Sequence, residues 1–145
     1  MRKQRENLRE LSLLWNGVMN RCRTLYEHIP RDAALPLSDS EISILRMIGN
    51  NRRIVVGDIT KFLSLPKSTV TGLIARLERK QLIIRKIYPD DLRSYVLELT
   101  EGGGNAIRDY DRFEEIFFSR LFEPLTESES KALLDLLRNM ISKGG

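Results

Sequence analysis

The 145-residue sequence predicts a mainly α-helical (α+β) fold: a helix-turn-helix followed by a two-stranded wing, with N- and C-terminal helices forming a dimerisation module. Three observations predict it. Val70, Leu73, Ile74 and Leu77 recur at i, i+3, i+4 and i+7, the spacing that puts four apolar side chains on one face of a helix. Residues 82–88 and 95–99 are β-branched and aromatic runs joined by a polar stretch, 89–94, with the turn residues Pro89, Asp90 and Asp91. Long apolar stripes occupy both ends of the chain, within 4–29 and 101–142.

The first helix, 4–29, interleaves two series of residues seven apart, Leu8, Trp15, Cys22 and Ile29 with Leu11, Val18 and Leu25, along one seam. Leu14, Met19 and Tyr26 widen that seam beyond what one chain's core needs, which points to a partner chain; the competing reading is ordinary packing within the chain. Residues 31–37 form a connecting loop. Ser38 and Glu41 are spaced as a capping box, opening a helix that buries Ile42, Leu45 and Ile48 and stops at Gly49. A short strand, 54–56, leads into a small helix, 58–63, with Ile59, Phe62 and Leu63 inward. A tight turn at Ser64, Leu65 and Pro66 precedes a second helix, 67–80, where proline suits the opening because its missing N–H costs nothing.

After the wing, Thr100 caps a helix through Gly102, Gly103 and Gly104. That start is expected to be frayed or hinge-like, since each glycine costs roughly 1 kcal/mol in a helix interior. The helix carries Ile107, Tyr110, Phe113, Phe117 and Leu121 on one face and breaks at Pro124. A second capping box, Thr126 with Glu129, precedes Leu133, Leu136, Leu137 and Met140. Terminal helices too apolar to stand alone fit a homodimer interface made from both ends of the chain.

Charge says where the chain meets a partner. The formal net charge is only +4, yet residues 51–95 hold ten Lys or Arg against four acids, giving +6 there and −2 elsewhere. A basic segment on a slightly acidic scaffold is the footprint of a polyanion-binding module. The outer face of helix 67–80 holds Ser68, Gly72, Ala75 and Arg79, with Thr69, Thr71 and Arg76 on its flanks and Lys67 in its first turn. Such a small, polar face can enter a DNA major groove about 12 Å wide. An ordinary amphipathic surface helix shows the same pattern, and the wing that follows tips the reading toward duplex DNA. Ser68, Thr69, Thr71 and Arg76 are the base-edge candidates, and Lys67, Arg79, Lys86, Arg52 and Arg53 the phosphate contacts. Arg93, with Ser94 beside it in the wing loop, is the side chain for a narrow minor groove, and Asp91 is placed to brace it. A local turn ion pair between Asp91 and Arg93 is compatible with both roles.

Several classes are excluded. No apolar run is long enough to cross a bilayer and the N-terminus has no signal-peptide core, so a cytoplasmic protein without membrane partners is expected. One cysteine, Cys22, precludes an internal disulfide, and one histidine, His28, leaves little for a metal site. With no nucleophile–base pair and no phosphate loop, neither an enzyme nor a cofactor is expected.

The Ser68-Thr69-Val70-Thr71 helix ends in Leu77-Glu78-Arg79-Lys80-Gln81-Leu82-Ile83, and is followed by Asp91-Leu92-Arg93-Ser94 and Leu97-Glu98-Leu99-Thr100-Glu101-Gly102-Gly103. In that order these residues resemble the multiple-antibiotic-resistance regulator (MarR) family, and by pattern the flanking helices extend the resemblance over nearly the whole chain. It implies a dimeric bacterial transcription factor, read here as a repressor on a pseudo-palindromic operator. Residues 1–145 then form one domain, with 38–100 the winged DNA-binding region and 4–29 and 101–142 the dimerisation helices. The resemblance also implies control by a small phenolic or anionic ligand, for which Trp15, Met19, Arg23 and Tyr26 are the wall candidates; simple seam packing explains the same residues. Two alternatives stand beside this reading: a redox-responsive regulator using Cys22, and a winged helix that docks an acidic protein partner. Cys22 falls on the apolar seam, where a thiol is ordinarily inert.

Overall fold

The structure, a computed structural model, describes residues 2–30 and 36–144, and the side chains of all of these except 2 and 91–94. The expected loop at 31–37 therefore lies, up to residue 35, outside the described residues. In chain order the elements are α1 (Arg2–His28), α2 (Asp39–Asn50), α3 (Val56–Leu63), α4 (Lys67–Arg79), β1 (Ile83–Tyr88), β2 (Asp91–Leu99), α5 (Glu101–Phe122) and α6 (Glu127–Lys143). They fall into two compact units, Arg31–Arg112 and Met1–Pro30 with Phe113–Gly145.

The first unit holds α2 to β2 and the start of α5. Its core gathers Ile42, Ile44, Leu45 and Ile48 of α2, Ile59 of α3, Val70, Leu73, Ile74 and Leu77 of α4, and Leu82, Ile83 and Leu97 of the hairpin. The i, i+3, i+4, i+7 stripe of α4 is thus buried along its whole length. Ser38 caps α2 as the spacing requires: its hydroxyl accepts the Glu41 N–H at 3.2 Å, and the Glu41 carboxylate accepts the Ser38 N–H at 2.9 Å. The two strands pair antiparallel from Ile83 opposite Leu99 to Ile87 opposite Tyr95.

Four local expectations are corrected. Residues 54–56 form no strand; Ile54 makes one bridge to Leu97, and α3 begins at Val56, two residues early, because the Asp58 carboxylate accepts the Val55 N–H at 3.1 Å. Phe62 points outward and is 69% exposed. Once α3 starts at Val56, the packed stripe is Val56, Ile59 and Leu63, and Phe62 lies about 100° from its centre. The wing loop is shorter than 89–94: only Pro89 and Asp90 turn, and β2 starts at Asp91.

The glycine-rich start of α5 is not frayed: the helix is formed from Glu101. Thr100 accepts the Gly103 N–H on its hydroxyl at 3.0 Å while donating that hydroxyl to the Gln81 carbonyl at 2.7 Å, and its own N–H bonds Leu82 at 3.0 Å. Gly103 is buried, and a Cβ there would overlap the Leu82 carbonyl oxygen. Glycine is needed for that close approach of helix to strand, which outweighs its poor helix propensity.

The second unit packs α1 against the later part of α5 through aromatic rings. Tyr26 meets Phe113 edge-on at 5.1 Å and Phe117 at 6.4 Å, and Arg21 donates to the Arg120 carbonyl at 3.1 Å. Thr126 and Glu129 cap α6 reciprocally. The seam on α1 runs from Leu8, Leu11, Trp15 and Val18, all exposed, through half-buried Cys22 and Leu25 to buried Ile29. Leu136, Met140 and Ile141 of α6 are exposed as well.

Candidate nucleic-acid interface

The outward face of α4 carries the site because the inward one is fully occupied. Lys67, Ser68, Thr69, Thr71, Gly72, Arg76 and Arg79 are exposed, and no carboxylate interrupts them before Glu78. Both helix ends are set by local chemistry. Ser64 closes α3 in the left-handed region, at φ 51°, and Pro66 follows as the cap of α4. At the far end Gln81, φ 58°, makes a Schellman motif: its N–H bonds Glu78 at 2.9 Å, and the Leu82 N–H bonds Leu77 at 3.0 Å.

The sequence candidates do not stand alike in charge. Lys67 and Arg79 make no ion pair with another described residue and are open to phosphate. Arg76 leans toward Glu41, its Nε 3.8 Å from Oε1, so a base edge must compete with a carboxylate for it. Lys86 pairs with Glu98 at 3.4 Å. The Thr71 hydroxyl donates to the Lys67 carbonyl at 2.7 Å. Asp91, Arg93 and Ser94 lie in the first half of β2, and their side chains are outside those described.

Sequence reasoning missed three arrangements. Lys80 donates to Glu41 at 3.2 Å and to the Pro36 carbonyl at 3.2 Å, which ties the end of α4 to the start of α2. Glu41 is 2% exposed. Burial alone would raise its carboxyl, but the Ser38 N–H and then Lys80 and Arg76 together hold it below the ordinary carboxylate value. Arg85 pairs with Glu78 at 2.7 Å and lies over the Tyr95 ring at 4.4 Å, fixing the hairpin to the end of α4. Arg53 stacks over the Tyr88 ring at 4.4 Å and pairs with Asp90 at 3.7 Å. These partners are 7 to 44 residues apart, and only the Arg85 and Glu78 pair could have been guessed from charge alternation around a turn.

Of the effector candidates, Trp15, Met19 and Arg23 are exposed along α1, and Tyr26 packs on Phe113 and Phe117. Cys22 is a half-buried free thiol, and among the described residues no cluster has the donors for a metal ion. A shallow groove of about 510 Å³ runs between α2 and α3, lined by Ser43, Met47, Arg53, Ile54 and Phe62 among others, and includes none of the four candidates. Among the described residues no helix is long and apolar enough to cross a membrane.

The model of the MarR family matches residues 37–95, the stretch from the entry of α2 to the wing. YdgJ, an uncharacterised HTH-type transcriptional regulator of Bacillus subtilis (strain 168), is 25% identical over 109 residues, covering 75% of this chain and 66% of its own length, just under two thirds. The crystal structure of MarR superposes with a TM-score of 0.71 at 25% identity, covering 92% of this chain and 96% of that one. A mutant MarR from E. coli, complexed with operator DNA, superposes with a TM-score of 0.68 at 24% identity, covering 90% of this chain and 93% of that one. Residues 37–95 are thus similar to the MarR family, and the fold is that of the MarR crystal structure.

Proposed function

We propose that this chain is a sequence-specific repressor that binds a pseudo-palindromic operator as a homodimer. One observation carries the reading: α4 is sealed to the core on one face, and on the other offers exposed hydroxyls and cations with no acid before Glu78. Two such helices enter successive major grooves one helical turn apart. Ser68, Thr69, Thr71 and Arg76 read base edges, Lys67 and Arg79 hold phosphates, and Arg93, flanked by Asp91 and Ser94, enters the minor groove. Lys86 reaches a phosphate by exchanging Glu98 for it.

Residues 4–29 and 101–142 supply the dimer contacts, which the exposed apolar seams of α1 and α6 support. A small effector modulates binding, with Trp15, Met19, Arg23 and Tyr26 sharing one face of α1 as its wall. The protein works by binding, in the cytoplasm, and catalyses no reaction.

The test is a titration of the protein against the DNA upstream of its own gene, at two salt concentrations, with a scrambled duplex as competitor. Expected are binding of two chains per site, resistance to the competitor, and a salt slope that falls by about two, one for each chain, for Lys67→Ala or Arg79→Ala. Thr69→Ala should relax base preference instead. Absence of DNA binding at low salt would overturn the reading in favour of a protein-docking module.

A further inference from the structure

We propose that Arg53 is a positioning residue that latches the tip of the wing, rather than a phosphate contact. The inference rests on the reading of the wing as a DNA-contacting element and deepens it.

The ladder between the strands fails just where the tip begins. Ile87 faces Tyr95, but the next residue, Tyr88, faces Asp91, so 92–94 have no partner on β1. The backbone that carries Arg93 is therefore not held by strand pairing. From the connection between α2 and α3, two adjacent residues reach the hairpin. Ile54 bridges Leu97 toward its base, accepting the Leu97 N–H at 3.1 Å. Arg53 reaches its tip, stacked on Tyr88, the last residue of β1, and paired with Asp90 in the turn.

Tyr88 is itself fixed from the other strand, its hydroxyl donating to Glu98 at 3.3 Å. One guanidinium thus joins the α2–α3 connection to both the ring before the turn and the carboxylate within it. A planar guanidinium meets both closely: its carbon lies 4.4 Å over the ring while Nη1 faces the carboxylate, whereas the Lys86 ammonium, paired with Glu98, stays 5.8 Å from the same ring. Arg53 is 63% exposed, so its replacement leaves the core intact.

The test uses the full-length chain and the operator duplex, with Arg53→Met, Arg53→Lys, Tyr88→Leu, Arg93→Ala and the Arg53→Met/Arg93→Ala double variant. Arg53→Met and Tyr88→Leu are each expected to weaken binding about three- to tenfold. Arg53→Lys does not restore affinity, and Arg53→Met costs little once Arg93 is gone, because the latch acts through the wing. In the free protein, amide exchange at the wing tip accelerates in Arg53→Met with the core unchanged, a change that losing a phosphate contact does not produce.

Full affinity in Arg53→Lys, multiplying losses in the double variant, or unaltered exchange at the tip would overturn the proposal. Loss of tip protection with no effect of Arg93→Ala on binding would leave the latch standing and remove the wing from the DNA interface, so the two failures are distinguishable.

Discussion

Three consecutive glycines open α5, and alanine should have three different outcomes there. At Gly103 a Cβ would overlap the Leu82 carbonyl oxygen and sit 3.1 Å from both the Leu82 carbonyl carbon and Leu99 Cδ2. The obstacle is backbone, held in place because the same Leu82 carbonyl accepts the Thr100 N–H, so it cannot rotate away as a side-chain tip would. Overpacking of this kind costs about 1–3 kcal/mol, against a propensity gain of about 0.5–1 kcal/mol for replacing glycine in a helix. Gly103→Ala should therefore destabilise by about 1–2 kcal/mol. At Gly104 the nearest atom is Arg108 Nη1 at 3.7 Å, ordinary contact with a flexible chain, and Gly104→Ala should stabilise by about 0.5 kcal/mol. Gly102, whose nearest contact is the Gln81 carbonyl at 3.4 Å, should be close to neutral. Urea titrations of the four proteins at one chain concentration would show the order as shifts of midpoint. If Gly103→Ala were as stable as the parent, or more so, the close approach would not be what requires glycine.

Two further outcomes follow from the caps and the buried carboxylate. Glu41→Gln should cost about 2 kcal/mol at neutral pH, less than the full loss of a deeply buried pair because Lys80 and Arg76 still reach water. Since the folded carboxyl titrates below its unfolded value, the Glu41 contribution is complete above about pH 4.3 and is lost as pH falls through the lower folded pKa. Urea midpoints of both proteins from pH 6 to pH 2.5 should therefore converge at the acid end, and a gap independent of pH would refute the charge argument. Gln81→Gly, relieving a left-handed side chain at φ 58°, should raise stability by about 0.5–1 kcal/mol, read from the thermal midpoint; no gain would mean that the Gln81 side chain compensates.

What the sequence carried best was periodic and local. The stripe of α4 and the two capping boxes were readable because helix geometry places their partners three or four residues apart. Failures came where tertiary packing chose between close alternatives. Ile54, Val55 and Val56 are β-branched, yet one bridge to Leu97 is all the sheet offers them, and Asp58 recruits Val56 into α3 instead. Phe62 is apolar and was placed inward, but Val56 takes the position it would have filled. Glycine propensity argued for a loose joint at Gly103, while the need of one backbone to approach another made it a tight one. At the candidate interface, the residue types of α4 were legible and their entanglements were not: nothing in spacing reveals that Glu41 draws on Arg76 and Lys80, or that Arg53 is occupied by Tyr88 and Asp90.

The bond from Thr71 to the Lys67 carbonyl bears on which letter of an operator that residue can tolerate. A hydroxyl has one proton, and here the helix backbone already has it, so only lone pairs face outward. Against a major-groove edge such an oxygen is complementary to an exocyclic amine, the N6 of adenine or the N4 of cytosine, and is set lone pair against lone pair with the O6 of guanine or the O4 of thymine. Ser68 and Thr69, three and two residues earlier and without that internal bond, keep both polarities and can adapt to either kind of edge. With these three hydroxyls as the base readers proposed above, the start of α4 would combine two permissive readers with one selective one.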